Sequence, residues 1–361
     1  MEDLCFGGTQ KQNLELACRL NTDAFFPSIL TLTGPTDLDN QALAKGLTPY
    51  YLGVNRKVPR FFPFTLGKAL HKLKPDILVN CTALPNIWGR IWGKILQIPV
   101  IIGTCRGGGA LERQHEKLLW RMCNHLVCNS SPLAQRLIKT GIPASRISYI
   151  PNGVDTEYFT PVNKNIDNSI NLLCVARLVP DKDLSTLLEA FALVAASDSR
   201  IRLELVGAGS EEQNLKNLAH KMPKNIHDRI KFIGADADTK KYYDSAHIFC
   251  LSSVREGQPN SILEAMACAL PVISTRVGGI PDIVEDGKSG LLSAVRDKSA
   301  MAENIFKLLN DVELRQNMGQ RGREIVKSEF SFSAMVGAHE NLFKLLWNNY
   351  RSRKGKPALD R

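Results

Sequence analysis

The stretch Asn171-Leu-Leu-Cys-Val-Ala-Arg-Leu-Val-Pro-Asp-Lys-Asp-Leu-Ser-Thr-Leu-Leu-Glu-Ala-Phe-Ala-Leu-Val-Ala-Ala196 sets two periodicities on either side of one short polar turn. Residues 171–178 form an almost unbroken apolar run of strand length. Residues 183–196 repeat apolar side chains at helical spacing. A strand without polar alternation is one covered on both faces. A helix that follows it at once is the crossover that parallel strands need. The stretch therefore predicts a βα unit of a parallel sheet.

The unit recurs outward in both directions. Apolar runs at 201–209, 230–235, 247–253, 271–275 and 289–294 continue it, with a polar amphipathic helix near 210–221. Upstream, runs at 28–34, 76–83, 99–105, 125–130 and 147–153 keep the same rhythm. The expected class is α/β, with two Rossmann-like domains of mostly parallel sheets facing a cleft. The expected divisions are 1–160, 161–335, and a C-terminal helix with a basic tail at 336–361, the helix returning to the first domain. Asn152-Gly153 closes the last upstream run, and the polar residues 161–169 read as a linker. The two halves are not detectable repeats of each other.

The front of the chain is short. Gly7-Gly8-Thr9 precedes a helix expected over 10–20, as a phosphate-approaching turn would, and of the six residues before it only Leu4-Cys5-Phe6 are apolar. A first strand of about five or six residues barely fits. Either the sheet begins short or the chain starts further upstream.

Composition narrows the function classes. In 361 residues, 44% hydrophobic and 23% charged content exclude wholesale disorder. No run of ~20 apolar residues predicts a membrane span, and no basic-then-apolar leader predicts secretion. Nine cysteines without a CxxC pair fit a reduced, cytoplasmic protein. The net charge of +10 is carried mostly by residues 1–160. It predicts an anionic partner for that half (phosphate, membrane surface or nucleic acid) unless it serves only solubility. No aromatic-basic motif supports nucleic-acid binding.

Ligands of open α/β sheets bind beyond the carboxyl ends of the strands. Glu256 follows the run 247–253 at such an end, and Gly257, Gln258, Asn260 and Ser261 lead into a helix beginning near Ser261. The helix N-terminus suits a diphosphate, while a carboxylate accepts hydrogen bonds from sugar hydroxyls. Glu264 has a competing explanation, because Ser261-Ile-Leu-Glu264 matches a capping box. Arg177 and Lys182 flank the turn at another strand end, where a guanidinium fork and a compact ammonium suit a diphosphate. Gly207 and Gly209 follow a third strand. Each signal is weak alone; their common sheet edge is what a solvated loop or a cap explains poorly.

With these residues in view, the chain resembles the family 4 retaining glycosyltransferases of GT-B fold. The resemblance runs from GGTQKQNLELACRL through IPNGVDTEYF and ARLVPDKDLSTLLEAF to EGQPNSILEAMACALPVISTRVGGIPDIVEDGKSGLL. It implies a nucleotide-sugar donor, UDP- or GDP-linked, with no other cofactor and no metal. Glu256 would contact the donor sugar, and Glu264 the ribose hydroxyls. Arg177 and Lys182 would hold the diphosphate as it leaves, with backbone N–H groups near Gly257 to Ser261 assisting. Gly7 and Gly8 would let the N-terminal domain approach the donor phosphates. Members of the family often carry a histidine after the strand matching PVIIGT; here Thr104-Cys105-Arg106-Gly107-Gly108-Gly109 has none. Arg106 is the substitute candidate, and His115, beside Glu112, Arg113 and Glu116, reads as a surface residue.

The implied acceptor is a glycan or a lipid-linked sugar, in cell-surface polysaccharide or glycolipid synthesis. Residues 86–97 read as an amphipathic helix with Asn86, Arg90, Lys94 and Gln97 on its polar face. It lies either on an anionic membrane, on its cytoplasmic side, or packed on the sheet. Phe61, Phe62 and Phe64 beside Arg56, Lys57 and Arg60 are a second membrane candidate. The competing functions are a nucleotide-sugar epimerase of GT-B fold and a nucleotide-sugar-binding protein with impaired catalysis.

Overall fold

The computed structural model describes residues 1–5, 7–53, 62–107, 116–162 and 169–357. Phe6, Arg56, Lys57, Arg60, Phe61, Gly108, Gly109, Glu112, Arg113, His115 and most of the expected linker lie outside these residues. The chain forms two compact units, Met1–Asn152 with Phe332–Arg361, and Gly153–Ser331.

The first unit holds α1 (Gly8–Arg19), β1 (Leu30–Thr31), α2 (Asp39–Ala44), β2 (Tyr50–Tyr51), α3 (Phe62–Leu73), β3 (Ile77–Asn80), α4 (Ala83–Ile95), β4 (Val100–Cys105), α5 (Glu116–Leu119), β5 (His125–Cys128), α6 (Ser131–Lys139) and β6 (Ile147–Tyr149). Its strands form two parallel sheets, β1-β2 and β3-β4-β5-β6. Residues 1–5 contribute no strand. The chain's last helix, Phe332–Arg353, packs Phe332, Met335, Val336 and Phe343 into one cluster with Val100, Ile102 and Val127. Those side chains recur at helical spacing and match the apolar face of β4 and β5, which accounts for the tail's place in the first unit.

Helix α4 packs on the sheet, one of the two expected placements. Asn86 and Arg90 are fully buried, while Ile95 is 60% exposed. The face turned inward is Asn86, Gly89, Arg90 and Gly93. A Cβ at Gly89 would stand 1.9 Å from Asn80 Oδ1, and one at Gly93 2.9 Å from Ile101 Cδ1, so two glycines four residues apart bring the helix onto the sheet. Arg90 is tolerated there because Glu116 answers it with two hydrogen bonds, at 2.8 and 2.7 Å, and Asn86 Oδ1 takes a third at 2.7 Å. Polarity therefore did not mark the solvent side.

The second unit alternates β7 (Ile170–Val175), α7 (Leu184–Ala195), β8 (Ile201–Val206), α8 (Glu212–His220), α9 (Lys224–His227), β9 (Ile230–Gly234), α10 (Lys240–Ser245), β10 (Ile248–Leu251), α11 (Asn260–Ala267), β11 (Val272–Thr275), β12 (Gly290–Ser293), α12 (Lys298–Asn310) and α13 (Val312–Glu329). Its six strands are parallel, in the order β12-β11-β10-β7-β8-β9. The central strand β10 is wholly buried, as its unbroken apolar run requires. The division falls at Asn152/Gly153, eight residues before the expected 160/161. Val154 N–H bonds the Phe330 carbonyl at 2.9 Å, and Phe159 is buried against Tyr243, so residues 153–160 pack as part of the second unit. The C-terminal division likewise falls at Ser331/Phe332 rather than at 335/336.

Candidate active site

In the second unit, the loops that leave β7 and β10 are tied together. After β7 the chain passes exposed Arg177 and makes one 3-10 turn, Pro180–Lys182. It turns into α7 through Asp183, whose φ of 44° is left-handed. Aspartate tolerates that region better than most residues, and its carboxylate accepts bonds from Ser185 Oγ at 2.9 Å and Thr186 Oγ1 at 2.7 Å. After β10, Ser252 Oγ donates to the Asp183 carbonyl at 2.8 Å, and Val254 N–H to the Asp181 carbonyl at 3.0 Å. Two polar loops thus satisfy each other's backbones instead of water.

This framework brings Lys182 and Glu256 together. Lys182 Nζ pairs with Glu256 Oε1, and Ser253 Oγ donates to the same oxygen at 2.7 Å. The two charged side chains are only 15% and 9% exposed. Among the described residues Arg177 has no hydrogen-bond or ion-pair partner, so its guanidinium is exposed and available to an anion. Cys174 lies beneath the site; burial pushes its thiol up to about 12, with Lys182 opposing, and it stays protonated.

Glycines set the close approaches. A Cβ on Gly207, whose φ is +143°, would stand 1.9 Å from the Ala176 carbonyl oxygen, and one on Gly209 2.2 Å from that of Leu178. Gly207 therefore seats the Arg177 loop by backbone contact. Gly278, at φ +56° after β11, would drive a Cβ to 2.0 Å from the Glu256 carbonyl oxygen. The next residue, Gly279, donates its N–H to the Gly257 carbonyl at 2.6 Å. Neither Gly278 nor Ser253 was expected at the site from the sequence. The adjacent glycines just past an apolar run were the available signal for the former.

Helix α11 opens at Asn260 with Pro259 as its N-cap and no side-chain cap bond. Ser261 thus lies inside the helix, and the capping-box explanation of Glu264 does not hold. Glu264 is buried and accepts a bond from Tyr243 OH at 2.9 Å. Burial, with the nearby Glu264 carboxylate, pushes the Tyr243 phenol well above its usual range, so it remains a donor. Gly257 and Gln258 are buried, and Asn260 half-buried, at the start of the same helix, whose N–H groups and dipole favour an anion.

Three expected site residues belong to the first unit. Gly7 and Gly8 stand at the start of α1; a Cβ on Gly7 would meet only the Gln10 side chain, at 2.5 Å. Arg106 follows β4 and donates through Nη1 to Asn152 Oδ1 at 2.7 Å. Burial lowers its pKa, with Cys81 opposing. Among the described residues no group of three or more His, Cys, Asp or Glu side chains is placed to hold a metal ion.

Two family models match the chain: Glycosyltransferase Family 4 over residues 6–158 and Glycosyl transferases group 1 over residues 156–325. The chain belongs to the family 4 glycosyltransferases. This glycosyltransferase is 27% identical over 296 residues to the capsular polysaccharide biosynthesis glycosyltransferase CapM of Staphylococcus aureus, 76% of this chain and 77% of that one. It is 35% identical over 164 residues to the N-acetyl-alpha-D-glucosaminyl L-malate synthase of Bacillus anthracis, 45% of this chain and 42% of that one. The chain thus spans less than half the length of the second relative. The crystal structure of Anabaena Alr3699/HepE in complex with UDP superposes with a TM-score of 0.80 over 95% of this chain and 97% of that one, at 18% identity. The fold of this glycosyltransferase is GT-B.

Proposed function

We propose that this glycosyltransferase moves a sugar from a nucleoside diphosphate donor, UDP-linked in the first instance, to a glycan or lipid-linked acceptor, with retention of configuration. The observation that carries the reading is the Lys182–Glu256 pair at two neighbouring strand ends, beside the start of α11 and the exposed Arg177. Negative charge on the leaving diphosphate grows in the transition state, so fixed positive groups placed there lower the barrier. Lys182, Arg177 and the first N–H groups of α11 supply that charge without a metal or a further cofactor. Glu256 accepts hydrogen bonds from donor-sugar hydroxyls, held in position by Ser253. Glu264, oriented by Tyr243, accepts from the ribose.

The HepE structure, of the same fold, holds UDP, which supports a uridine donor. CapM, named for capsular polysaccharide biosynthesis, supports an acceptor in surface-polysaccharide assembly. Peripheral contact with an anionic membrane, on its cytoplasmic side, rests on the basic N-terminal half and on exposed Phe64 and Ile95 of the adjoining helices α3 and α4. No helix among the described residues is long and apolar enough to cross a membrane.

The test is a calorimetric titration with UDP-, GDP- and ADP-sugars, followed by transfer assays with the sugar that binds. Binding of one donor class, lost in Lys182→Met, supports the reading. Heatless titrations with every donor sink it, and donor turnover without transfer would show an epimerase.

A further inference from the structure

Two arginines of the first unit withdraw their guanidinium Nε from water, and only one meets a carboxylate. Arg90 takes two hydrogen bonds to Glu116, so its charge is answered although its Nε stays unpaired. Arg106 has no such partner. Its Nη1 donates to Asn152 Oδ1 at 2.7 Å, a neutral amide. Its Nε is buried without a hydrogen bond, and among the described residues no carboxylate pairs with it.

The groups around Arg106 are polar and neutral. It follows β4, whose Cys105 stands opposite Cys128 of β5, so Asn129 is the next residue of the neighbouring strand end. Asn129 is 5% exposed, and its Oδ1 is a buried acceptor without a donor. Beyond β3, Cys81 keeps its proton as a donor to Asn13 Oδ1 at 2.9 Å. That thiol opposes the burial that lowers the pKa of Arg106. His339 of α14 (Phe332–Arg353) donates through Nδ1 to the Met335 carbonyl at 2.9 Å. Burial lowers its pKa to about 4, the Met335 bond opposing and Arg106 adding to the fall, so it is neutral at pH 7. This edge of the sheet thus carries one unbalanced positive charge, with one unpaired acceptor on the neighbouring strand.

A cation drawn out of water without a counter-ion is costly to hold, and nothing around Arg106 offsets the cost. It stands beyond the carboxyl end of a parallel strand, where open sheets bind ligands. We propose that Arg106 is the seat of a carboxylate, carried by an acidic sugar whose hydroxyl donates to Asn129 Oδ1. Charge favours a carboxylate over a phosphate monoester, because one guanidinium balances one negative charge and the monoester carries about −1.5 to −2 at pH 7. Shape agrees. With Nη1 bonded to Asn152, the edge left over is the Nε–Nη2 fork, which takes two carboxylate oxygens side by side. That a sugar carries the carboxylate rests on the function proposed above; the carboxylate site itself does not.

Calorimetric titrations and melting curves test this with no nucleotide sugar present. Methyl β-D-glucuronide should bind and raise the melting temperature. Methyl β-D-glucoside, which carries a hydroxymethyl group in place of the carboxylate, should bind at least roughly tenfold more weakly. Arg106→Met should abolish the difference between the two, and should melt no lower than the parent chain, because it removes an uncompensated charge. Arg106→Lys should restore only part of the difference, since an ammonium has no fork. Equal binding of glucuronide and glucoside overturns the proposal. A fall of several degrees in the melting temperature of Arg106→Met overturns it too, in favour of a purely structural arginine. Tighter binding of glucose 6-phosphate than of the glucuronide overturns the choice of carboxylate, and equally tight binding of acetate overturns the choice of a sugar. Should every nucleotide sugar fail to bind while the glucuronide still binds through Arg106, the function proposed above falls and the carboxylate site stands.

Discussion

Gly278→Ala should separate the positioning of Glu256 from the stability of the second unit. The added Cβ would stand 2.0 Å from the Glu256 carbonyl oxygen, at a residue with φ +56°. Real Cβ contacts of this kind do not fall below about 3 Å, so the Glu256 backbone must retreat by about 1 Å. The loop is also tied through Gly279 N–H to the Gly257 carbonyl and through Thr275 Oγ1 to the Ser253 carbonyl, which spreads the displacement through the site. A misplacement of about 1 Å in a site of this kind costs on the order of 10²-fold in rate, and the left-handed φ adds about 1 kcal/mol of strain. Gly287→Ala is the control, since its φ is +77° but a Cβ there meets nothing within 4 Å. Both variants should lower the melting temperature by a few degrees. Only Gly278→Ala should reduce kcat/KM for transfer, by on the order of 10²-fold. Equal activity in the two variants would refute the claim that Gly278 exists to let the Glu256 loop close.

The other predictions concern charge and burial. Lys182→Met should lower kcat by roughly 10²–10³-fold, measured in steady-state transfer, because it removes a cation from the leaving group. Tyr243→Phe should cost about 1–2 kcal/mol in denaturant unfolding and weaken donor binding, since a buried Glu264 loses a donor. Arg90→Met should destabilise the first unit by roughly 3–5 kcal/mol, and adding Glu116→Leu should recover most of the loss, as a buried charge is worse alone than its pair is absent. Burial holds His339 near a pKa of 4, against 6.5 when unfolded. The unfolded chain therefore binds its proton first, and stability falls as pH drops from about 6.5 to 4, by roughly 3 kcal/mol for this residue. A His339→Phe variant should show a flatter profile in urea titrations at those pH values.

The strands of the second unit were legible because each is a short apolar run at a fixed place in a βα repeat, and both faces of the sheet are covered. β2 was not, because Tyr50-Tyr51 is two exposed residues paired with two more, too short for any periodicity to register. The polar face of α4 was legible but its burial was not, because a sequence shows that Arg90 is charged, not that Glu116, 26 residues away, meets it in the interior. At the site, Lys182 and Glu256 were legible as residues at strand ends. Their pairing was not, being fixed by the Ser252 and Val254 bonds to the facing loop. The Tyr243–Glu264 contact joins helices separated by β10, and no local pattern announces it.

The bonds that hold the Lys182 and Glu256 loops together come from main chain and hydroxyls: Val254 N–H, Ser252 Oγ, Gly279 N–H and Thr275 Oγ1. The Lys182–Glu256 ion pair is added to that framework. That division lets Lys182 and Glu256 neutralise each other across a nearly buried gap when no ligand is bound, at a geometry the backbone already fixes. On the function proposed above, a donor that brings a diphosphate to Lys182 and hydroxyls to Glu256 would replace one charge-assisted contact with two. The loops need not reorganise, and this is the condition under which fixed charges stabilise a transition state most effectively.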